Sequence, residues 1–124
     1  MRIMILDNDK ALIRSIEIIL QSDEHDIFSF SNIDDAIAFI ETCDPIDLLL
    51  VDFLMPRMTG FDFLHLIEKH RGKVQRIVMM SGHTDLIEKR ELEVFGVSSF
   101  LSKPICMTSL KRLVDMPTLR RKPR

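Results

Sequence analysis

Five short apolar segments recur along the chain, and each has the length and composition of a β-strand. Most of them are continuously apolar rather than alternating, which is typical of parallel strands that are covered on both faces. The predicted strands cover residues 3–6, 26–30, 47–51, 76–80 and 98–101.

Helical patterns fall between the predicted strands, with apolar residues spaced by three and four. The inward-facing residues are Leu12, Ile13, Ile16, Ile19 and Leu20 in the first helix, Ile33, Ala36, Ile37 and Ile40 in the second, Phe61, Leu64 and Ile67 in the third, Leu86, Ile87 and Val94 in the fourth, and Met107, Leu110, Leu113 and Val114 in the fifth. Segment 31–34 resembles a capping box for the second helix, Thr84 can cap the fourth, and the third is expected to end near Arg71-Gly72. This alternation predicts one parallel sheet with helices on both faces.

Polar residues follow four of the five predicted strands. In such sheets, ligands bind beyond the carboxyl ends of the strands. Asp52 is the most informative of these residues, because an acid that ends an apolar strand is costly without a partner or a role. The residues at this edge are Asp7, Asn8 and Asp9 after the first strand, Asp52 after the third, Ser81 after the fourth, and Lys103 with Pro104 after the fifth.

Together these residues could accept a phosphoryl group. Converging carboxylates favour a hard cation such as Mg²⁺, and a carboxylate can attack phosphorus to give an aspartyl phosphate. Lys103 could stabilise the charge of the phosphoryl oxygens, and Ser81 could donate a hydrogen bond to one of them. Each residue also has a purely structural explanation, since Asp7 could cap the first helix and Ser81 could belong to an ordinary turn.

Composition limits the class of protein but does not choose the function. The 124 residues, 46% hydrophobic and 29% charged, fit one folded domain. No apolar run reaches the roughly 18 residues that a membrane helix needs, and the apolar start is too short for a signal peptide, so a cytoplasmic location is expected. Cys43 and Cys106 have no neighbouring zinc ligands and are expected to be reduced thiols.

The last residues differ in charge from the rest of the chain. Four basic residues and no acid fall in positions 116–124, which leaves 13 basic against 19 acidic residues, a net charge of −6, in the remainder. We expect a domain over residues 1–115 and a basic tail over residues 116–124 that is disordered or is the remnant of a linker. No nucleic-acid-binding module is recognisable, so the domain itself is not expected to bind nucleic acid.

Four segments, in this order and spacing, resemble the receiver domain of bacterial response regulators, the CheY-like family, over about residues 1–115. They are MILDNDK, DLLLVDFLMPRMTGFDFL, IVMMSGHTD and GVSSFLSKP. The resemblance implies a flavodoxin-like (βα)5 sandwich with strand order 2-1-3-4-5. It also implies that a histidine kinase or phosphotransfer protein phosphorylates Asp52, with no turnover of an external substrate.

The resemblance also implies roles for the residues around Asp52. Mg²⁺ would be held by Asp7, Asn8, Asp52 and the backbone carbonyl of Leu54. Ser81 and Phe100 stand at the two switch positions, Lys103 stands at the lysine that contacts the phosphoryl group, and Pro104 stands where a cis proline is usual. A downstream protein would bind the face formed by the fourth helix, the fifth strand and the fifth helix.

Two positions depart from the family pattern. Asn8 replaces the second acid of the usual acidic pair, so we expect weaker Mg²⁺ binding, which Asp9 could offset only if its loop shifts. Phe100 replaces a frequent tyrosine, which leaves a switch driven by packing alone.

Two alternatives remain open at this point. A pseudo-receiver would keep the fold as an interaction module without being phosphorylated, and Asn8 supports that reading. A haloacid-dehalogenase-type phosphatase would use Asp7 as nucleophile and Asp9 as acid, followed by Ser81 and Lys103. That reading leaves Asp52 unexplained, and turnover of p-nitrophenyl phosphate would distinguish it from a receiver.

Overall fold

Strands and helices alternate from the first residues onward. A computed structural model describes residues 1–22, 24–83 and 87–116. The strands are β1 (Arg2–Leu6), β2 (Asp26–Phe30), β3 (Ile46–Asp52), β4 (Leu54–Met55), β5 (Met58–Thr59), β6 (Val74–Ser81) and β7 (Ser99–Ser102). The helices are α1 (Lys10–Ile19), α2 (Ile33–Thr42), α3 (Gly60–Leu66), a 3₁₀ helix (Glu68–Lys73), α4 (Lys89–Phe95) and α5 (Met107–Asp115).

The main sheet contains five parallel strands in the order β2-β1-β3-β6-β7. If the five strands of this sheet are numbered by themselves along the chain, their order is 2-1-3-4-5. The prediction of a flavodoxin-like α/β fold is therefore confirmed. The short strands β4 and β5 form a separate antiparallel hairpin after β3, which the apolar pattern of the sequence does not predict. The register pairs Asp52 with Met80 and Ser81 with Ser102, so the strand ends lie along one edge.

The sheet has two apolar faces because successive side chains of a strand point to opposite sides. In β3, Leu48 and Leu50 pack with α1 and α5, whereas Leu49 and Val51 pack with α2 and α3. All four of these side chains are fully buried. The continuous apolar run that predicted β3 therefore reflects burial on both faces.

Three predicted helix ends need correction. Asn32, not Ser31, caps α2, because its Oδ1 accepts a 2.9 Å hydrogen bond from the Asp35 amide. Ser and Asn are equally good caps, so composition could not choose between them. Helix α3 ends at Leu66, well before Gly72, and the chain continues as the 3₁₀ helix Glu68–Lys73, which contains Gly72.

The fourth helix was also predicted too long. It begins at Lys89, after an N-cap residue, Glu88, that makes no side-chain capping hydrogen bond. The predicted cap Thr84 and the inward residue Leu86 lie outside the described residues, as does the tail after Met116. In the described part of the chain, no helix is long and apolar enough to cross a membrane.

Basic side chains from one short segment bind the carboxyl ends of three helices. Arg71, Lys73 and Arg76 lie at the end of the 3₁₀ helix and the start of β6, at the edge of the sheet opposite to Asp52. Cations are favourable there because helix carbonyls carry partial negative charge. The acceptors are Gly96 O for Arg71 (3.2 Å), Ile40 O and Glu41 O for Lys73 (2.9 and 3.1 Å), and Leu113 O and Met116 O for Arg76.

Lys73→Ala should lower the free energy of unfolding by about 1 kcal/mol, because the end of α2 loses a cation and two hydrogen bonds. Urea unfolding would measure the change. Lys69→Ala is a matched control, since Lys69 lies exposed in the same 3₁₀ helix. Equal effects of the two substitutions would contradict a specific role for Lys73.

Candidate functional site

Four strand ends bring polar side chains to one edge of the sheet. Asp7 follows β1, Asp52 ends β3, Ser81 ends β6 and Lys103 follows β7. Asp7, Asp52 and Ser81 are exposed by only 0%, 3% and 2%. In the part of the chain that the structure describes, no other polar or charged residue is buried to this extent. Because buried polar groups are costly, such a cluster needs internal partners or a function.

Lys103 joins the two buried carboxylates. Its Nζ lies 2.8 Å from Asp7 Oδ2 and 3.0 Å from Asp52 Oδ1, and its side chain is 25% exposed. Burial by itself would lower the pKa of Lys103, but the hydrogen bonds and charges of Asp7 and Asp52 outweigh burial and raise it. The lysine is therefore a fixed positive charge in the site.

The charge of Asp52 is only partly compensated. Burial, the largest effect, raises the pKa of Asp52 above its ordinary value. The hydrogen bond from Lys103 lowers it, and the nearby charge of Asp7 raises it again. The net effect is a raised pKa of Asp52, because two acids share one lysine and burial removes part of their solvent. A further cation would relieve this excess of negative charge.

The loop after β1 uses its three polar residues in different ways. Asp7 Oδ1 accepts a 2.8 Å hydrogen bond from the Asp9 amide. Asp9 caps α1, since its Oδ1 accepts from the amides of Ala11 and Leu12 at 3.0 and 3.1 Å. Asn8 lies between them with an exposed side chain. The capping role considered for this loop therefore belongs to Asp9, which points its carboxylate at the helix.

The chain turns sharply after Asp52. The Phe53 amide donates a 2.7 Å hydrogen bond to Met80 O, which extends the contact between β3 and β6. A backbone hydrogen bond from Leu54 lowers the pKa of Asp52, so the Leu54 backbone lies beside the carboxylate. The Leu54 side chain is 54% exposed.

The other predicted residues lie on β6, β7 and the loops after them. Ser81 Oγ accepts a 2.9 Å hydrogen bond from the His83 amide, and Ser81 O accepts one of 2.8 Å from the Lys103 amide. The Lys103–Pro104 peptide bond is cis. Phe100 lies farther from the strand end, and its side chain is 42% exposed. The structure thus brings Ser81 and Lys103 to the same edge as Asp52 and leaves Phe100 on the surface.

The donor set at this edge suits a small hard cation. It consists of the carboxylates of Asp7 and Asp52, with the backbone of Leu54 and the amide of Asn8 close by in the chain, and Mg²⁺ prefers oxygen ligands of this kind. Burial and, to a smaller extent, the charge of Asp7 raise the pKa of Asp52, so a cation bound beside it would favour the ionised carboxylate. Within residues 1–22, 24–83 and 87–116, no three His, Cys, Asp or Glu side chains group closely enough to hold a metal ion. Asp7 and Asp52 thus supply two carboxylates, one charge fewer than a three-acid site, and oxygen donors of this type are the ligands that Mg²⁺ accepts.

The comparison with known families identifies the class of protein. The profile of the response regulator receiver domain matches residues 3–115. The chain therefore belongs to this family and is a receiver domain of two-component response regulators, as the four sequence segments predicted.

Individual relatives agree with this assignment. The chain is 34% identical over 105 residues to the transcriptional regulatory protein FlgR of Helicobacter pylori, which covers 84% of this chain and 26% of FlgR. It is 27% identical over 111 residues to protein PilG of Pseudomonas aeruginosa, covering 89% of this chain and 82% of PilG. The chain thus spans about a quarter of FlgR but most of PilG.

Solved structures share the fold. A CheY-like receiver domain from Methanospirillum hungatei superposes with a TM-score of 0.79 at 25% identity, covering 91% of this chain and 89% of the other. The signal receiver domain of a putative Luxo repressor protein from Vibrio parahaemolyticus superposes with a TM-score of 0.76 at 29% identity. The match covers 91% of this chain and 85% of the other. Chemotaxis protein CheY4 of Vibrio cholerae superposes with a TM-score of 0.79 at 22% identity, covering 91% of this chain and 94% of the other. This similarity supports the fold alone.

One structural support of the site was missed. Thr59 and Asp62 form a capping box at the start of α3, in which the Asp62 amide donates to Thr59 Oγ1 at 3.2 Å and the Thr59 amide donates to Asp62 Oδ2 at 2.8 Å. The Thr-x-x-Asp spacing directly before the apolar residues of α3 is a readable signal for it. It fixes the helix that follows the Asp52 loop.

Asp52→Asn should stabilise the fold at neutral pH. The folded pKa of Asp52 is raised above the ordinary 3.8, so the free energy of unfolding decreases as pH rises from the ordinary value through the raised one. Asparagine resembles the protonated carboxyl, so the substitution should raise Tm by about 2–5 °C at neutral pH. The difference should vanish at pH values near the ordinary pKa of Asp, which calorimetry at several pH values would measure.

Lys103→Met should change the stability of the fold in the opposite direction to Asp52→Asn. It leaves two buried carboxylates without their cation and should destabilise the fold by about 3–5 kcal/mol. Combining it with Asp52→Asn should recover part of that loss. If Asp52→Asn is less stable than wild type at neutral pH, the ion pair with Lys103 outweighs the burial of Asp52.

Proposed function

We propose that this receiver domain is a phosphoacceptor, modified on Asp52 by a histidine kinase or phosphotransfer protein in a Mg²⁺-dependent reaction. The observation that carries the proposal is the buried Asp52 carboxylate, held 3.0 Å from Lys103 Nζ at a strand end. A positive charge is thus already in place where the phosphoryl oxygens would lie.

In the proposed reaction, an oxygen of Asp52 attacks the phosphorus of a phosphohistidine in line with the breaking bond. An O–P bond forms, the P–N bond breaks, and its electron pair stays with the imidazole nitrogen of the donor. Lys103 stabilises the equatorial phosphoryl oxygens, and Ser81 can donate to one of them once its hydroxyl turns toward the site. Mg²⁺, held by Asp7, Asp52, the Leu54 carbonyl and Asn8, would add Lewis-acid stabilisation of the same oxygens.

The proposed output is a change of the face formed by α4, β7 and α5. Apolar side chains are already exposed there, with Val94 at 73%, Phe100 at 42% and Met107 at 53%. Ser81 ends β6 and Lys103 follows β7, so a movement of either residue toward a phosphoryl group acts on the elements that carry this face. Phe100 would repack without a hydroxyl to bond, and a downstream protein would bind the rearranged surface.

Among the residues that the structure describes, the site offers no group that would act on a second substrate, so we propose a signalling domain that accepts a phosphoryl group rather than an enzyme that turns over external substrates. We place it in the cytoplasm, where the free thiols Cys43 and Cys106 would remain reduced. The pseudo-receiver is the second candidate, and Asn8 is the observation that favours it.

Beryllofluoride with Mg²⁺, an analogue of the aspartyl phosphate, tests the proposal directly. Wild type should form an adduct at Asp52, seen as NMR shifts around Asp52, Ser81 and Lys103, and Asp52→Asn should form none. Asp26→Asn, which removes an exposed acid from β2, should behave like wild type. Absence of an adduct in wild type would favour the pseudo-receiver.

Asn8→Asp should strengthen Mg²⁺ binding by about tenfold, because a third carboxylate increases attraction for the cation. Asn32→Asp is a matched control, since Asn32 borders the same surface pocket as Asn8 but is not a proposed ligand. Titration calorimetry would measure both affinities. Equal affinities of wild type and Asn8→Asp would show that position 8 does not contribute to the metal site.

A further inference from the structure

Helix α3 begins in direct contact with the backbone of Asp52. A Cβ atom built on Gly60 would lie 2.7 Å from the carbonyl oxygen of Asp52 and 3.4 Å from its carbonyl carbon. It would also lie 2.9 Å from Cε of Met79. The methyl end of Met79 can rotate away. The Asp52 carbonyl belongs to the backbone at the end of β3, so it cannot move without displacing Asp52 itself. Only a residue without a Cβ fits here.

Short backbone hydrogen bonds hold this contact from both sides. The Gly60 amide donates to Phe53 O at 2.6 Å, and the Phe53 amide donates to Met80 O at 2.7 Å. The rings of Phe53 and Phe61 pack edge to face, with centroids 5.9 Å apart. The start of α3 is therefore fixed against the sheet at the point where Asp52 leaves it.

We propose that Gly60 is a positioning residue for the phosphoacceptor. Its missing side chain lets α3 press against the Asp52 peptide, and this contact sets the carboxylate at its 3.0 Å distance from Lys103 Nζ. A side chain at position 60 would push the Asp52 peptide away from α3 and displace the carboxylate. The consequence for phosphorylation rests on the proposed function, whereas the effect on the position of Asp52 does not.

Gly60→Ala is the direct test, and Gly72→Ala is its matched control, because a Cβ on Gly72 would have no neighbour within 4 Å. Crystal structures should show the Lys103–Asp52 distance lengthened beyond hydrogen-bonding range in Gly60→Ala and unchanged in Gly72→Ala. The affinity for beryllofluoride with Mg²⁺ should fall about tenfold or more in Gly60→Ala alone. An unchanged Lys103–Asp52 distance in Gly60→Ala would overturn the proposal.

Adding Met79→Leu to Gly60→Ala distinguishes a role of Gly60 in positioning Asp52 from a role in making room for Met79. This substitution removes the Cε atom while nearly conserving side-chain volume, but it leaves the clash with the Asp52 carbonyl. The double variant should therefore regain thermal stability without regaining beryllofluoride affinity or the wild-type Lys103–Asp52 distance. Recovery of both would show that Gly60 only makes room for Met79.

Thr59→Ala tests the same contact without a clash, should Gly60→Ala fail to fold. It removes the cap of α3, whereas Asn32→Ala removes the cap of α2, and the two substitutions should lower thermal stability to a similar extent. Thr59→Ala should weaken beryllofluoride binding several-fold more than Asn32→Ala. Equal effects would overturn the proposal. If wild type itself forms no adduct, the proposed function fails, and the Lys103–Asp52 distance in Thr59→Ala still decides the role of α3.

Discussion

The ion pairs of Lys103 with Asp7 and Asp52 are the interaction on which the functional edge depends. Two carboxylates that are almost fully buried would repel each other and would be strongly disfavoured without a cation. One ammonium group at 2.8 and 3.0 Å makes their burial tolerable and ties the ends of β1 and β3 to the start of the chain after β7. The parallel register makes this possible, because it ends these strands at one edge.

The same topology gives the two edges of the sheet opposite electrostatic roles. Each helix after a strand starts at the functional edge, so its positive dipole end faces the acids there. The helices end at the other edge, where Arg71, Lys73 and Arg76 bind their carbonyls. The acids at one edge and the basic side chains at the other therefore both match the helix dipoles, and Lys103 at the functional edge offsets one of the two buried acids. The arrangement stabilises the helices at both of their ends.

Much of this was readable from the sequence, because buried parallel strands produce continuous apolar runs and the residues after them mark the functional edge. The positions of Asp52, Ser81 and Lys103 followed from that rule. Contacts set by three-dimensional proximity were not readable. The double ion pair of Lys103 depends on strands far apart in the chain, and the choice of Asn32 over Ser31 depends on where the backbone enters α2. The close approach of Gly60 to Asp52 depends on the packing of α3.

Asn8 has opposite consequences before and after the proposed phosphorylation. Asp7, Asp52 and Lys103 sum to a charge of −1, so a bound Mg²⁺ would bring the site to +1 and would be attracted less than by three acids. An aspartyl phosphate in place of the Asp52 carboxylate carries about −2, which brings the loaded site near neutrality. A third acid would leave that state negative. In the proposed mechanism, Asn8 would weaken the metal site at rest and would reduce repulsion of the phosphoryl group, so its replacement of an acid is compatible with a phosphorylated receiver.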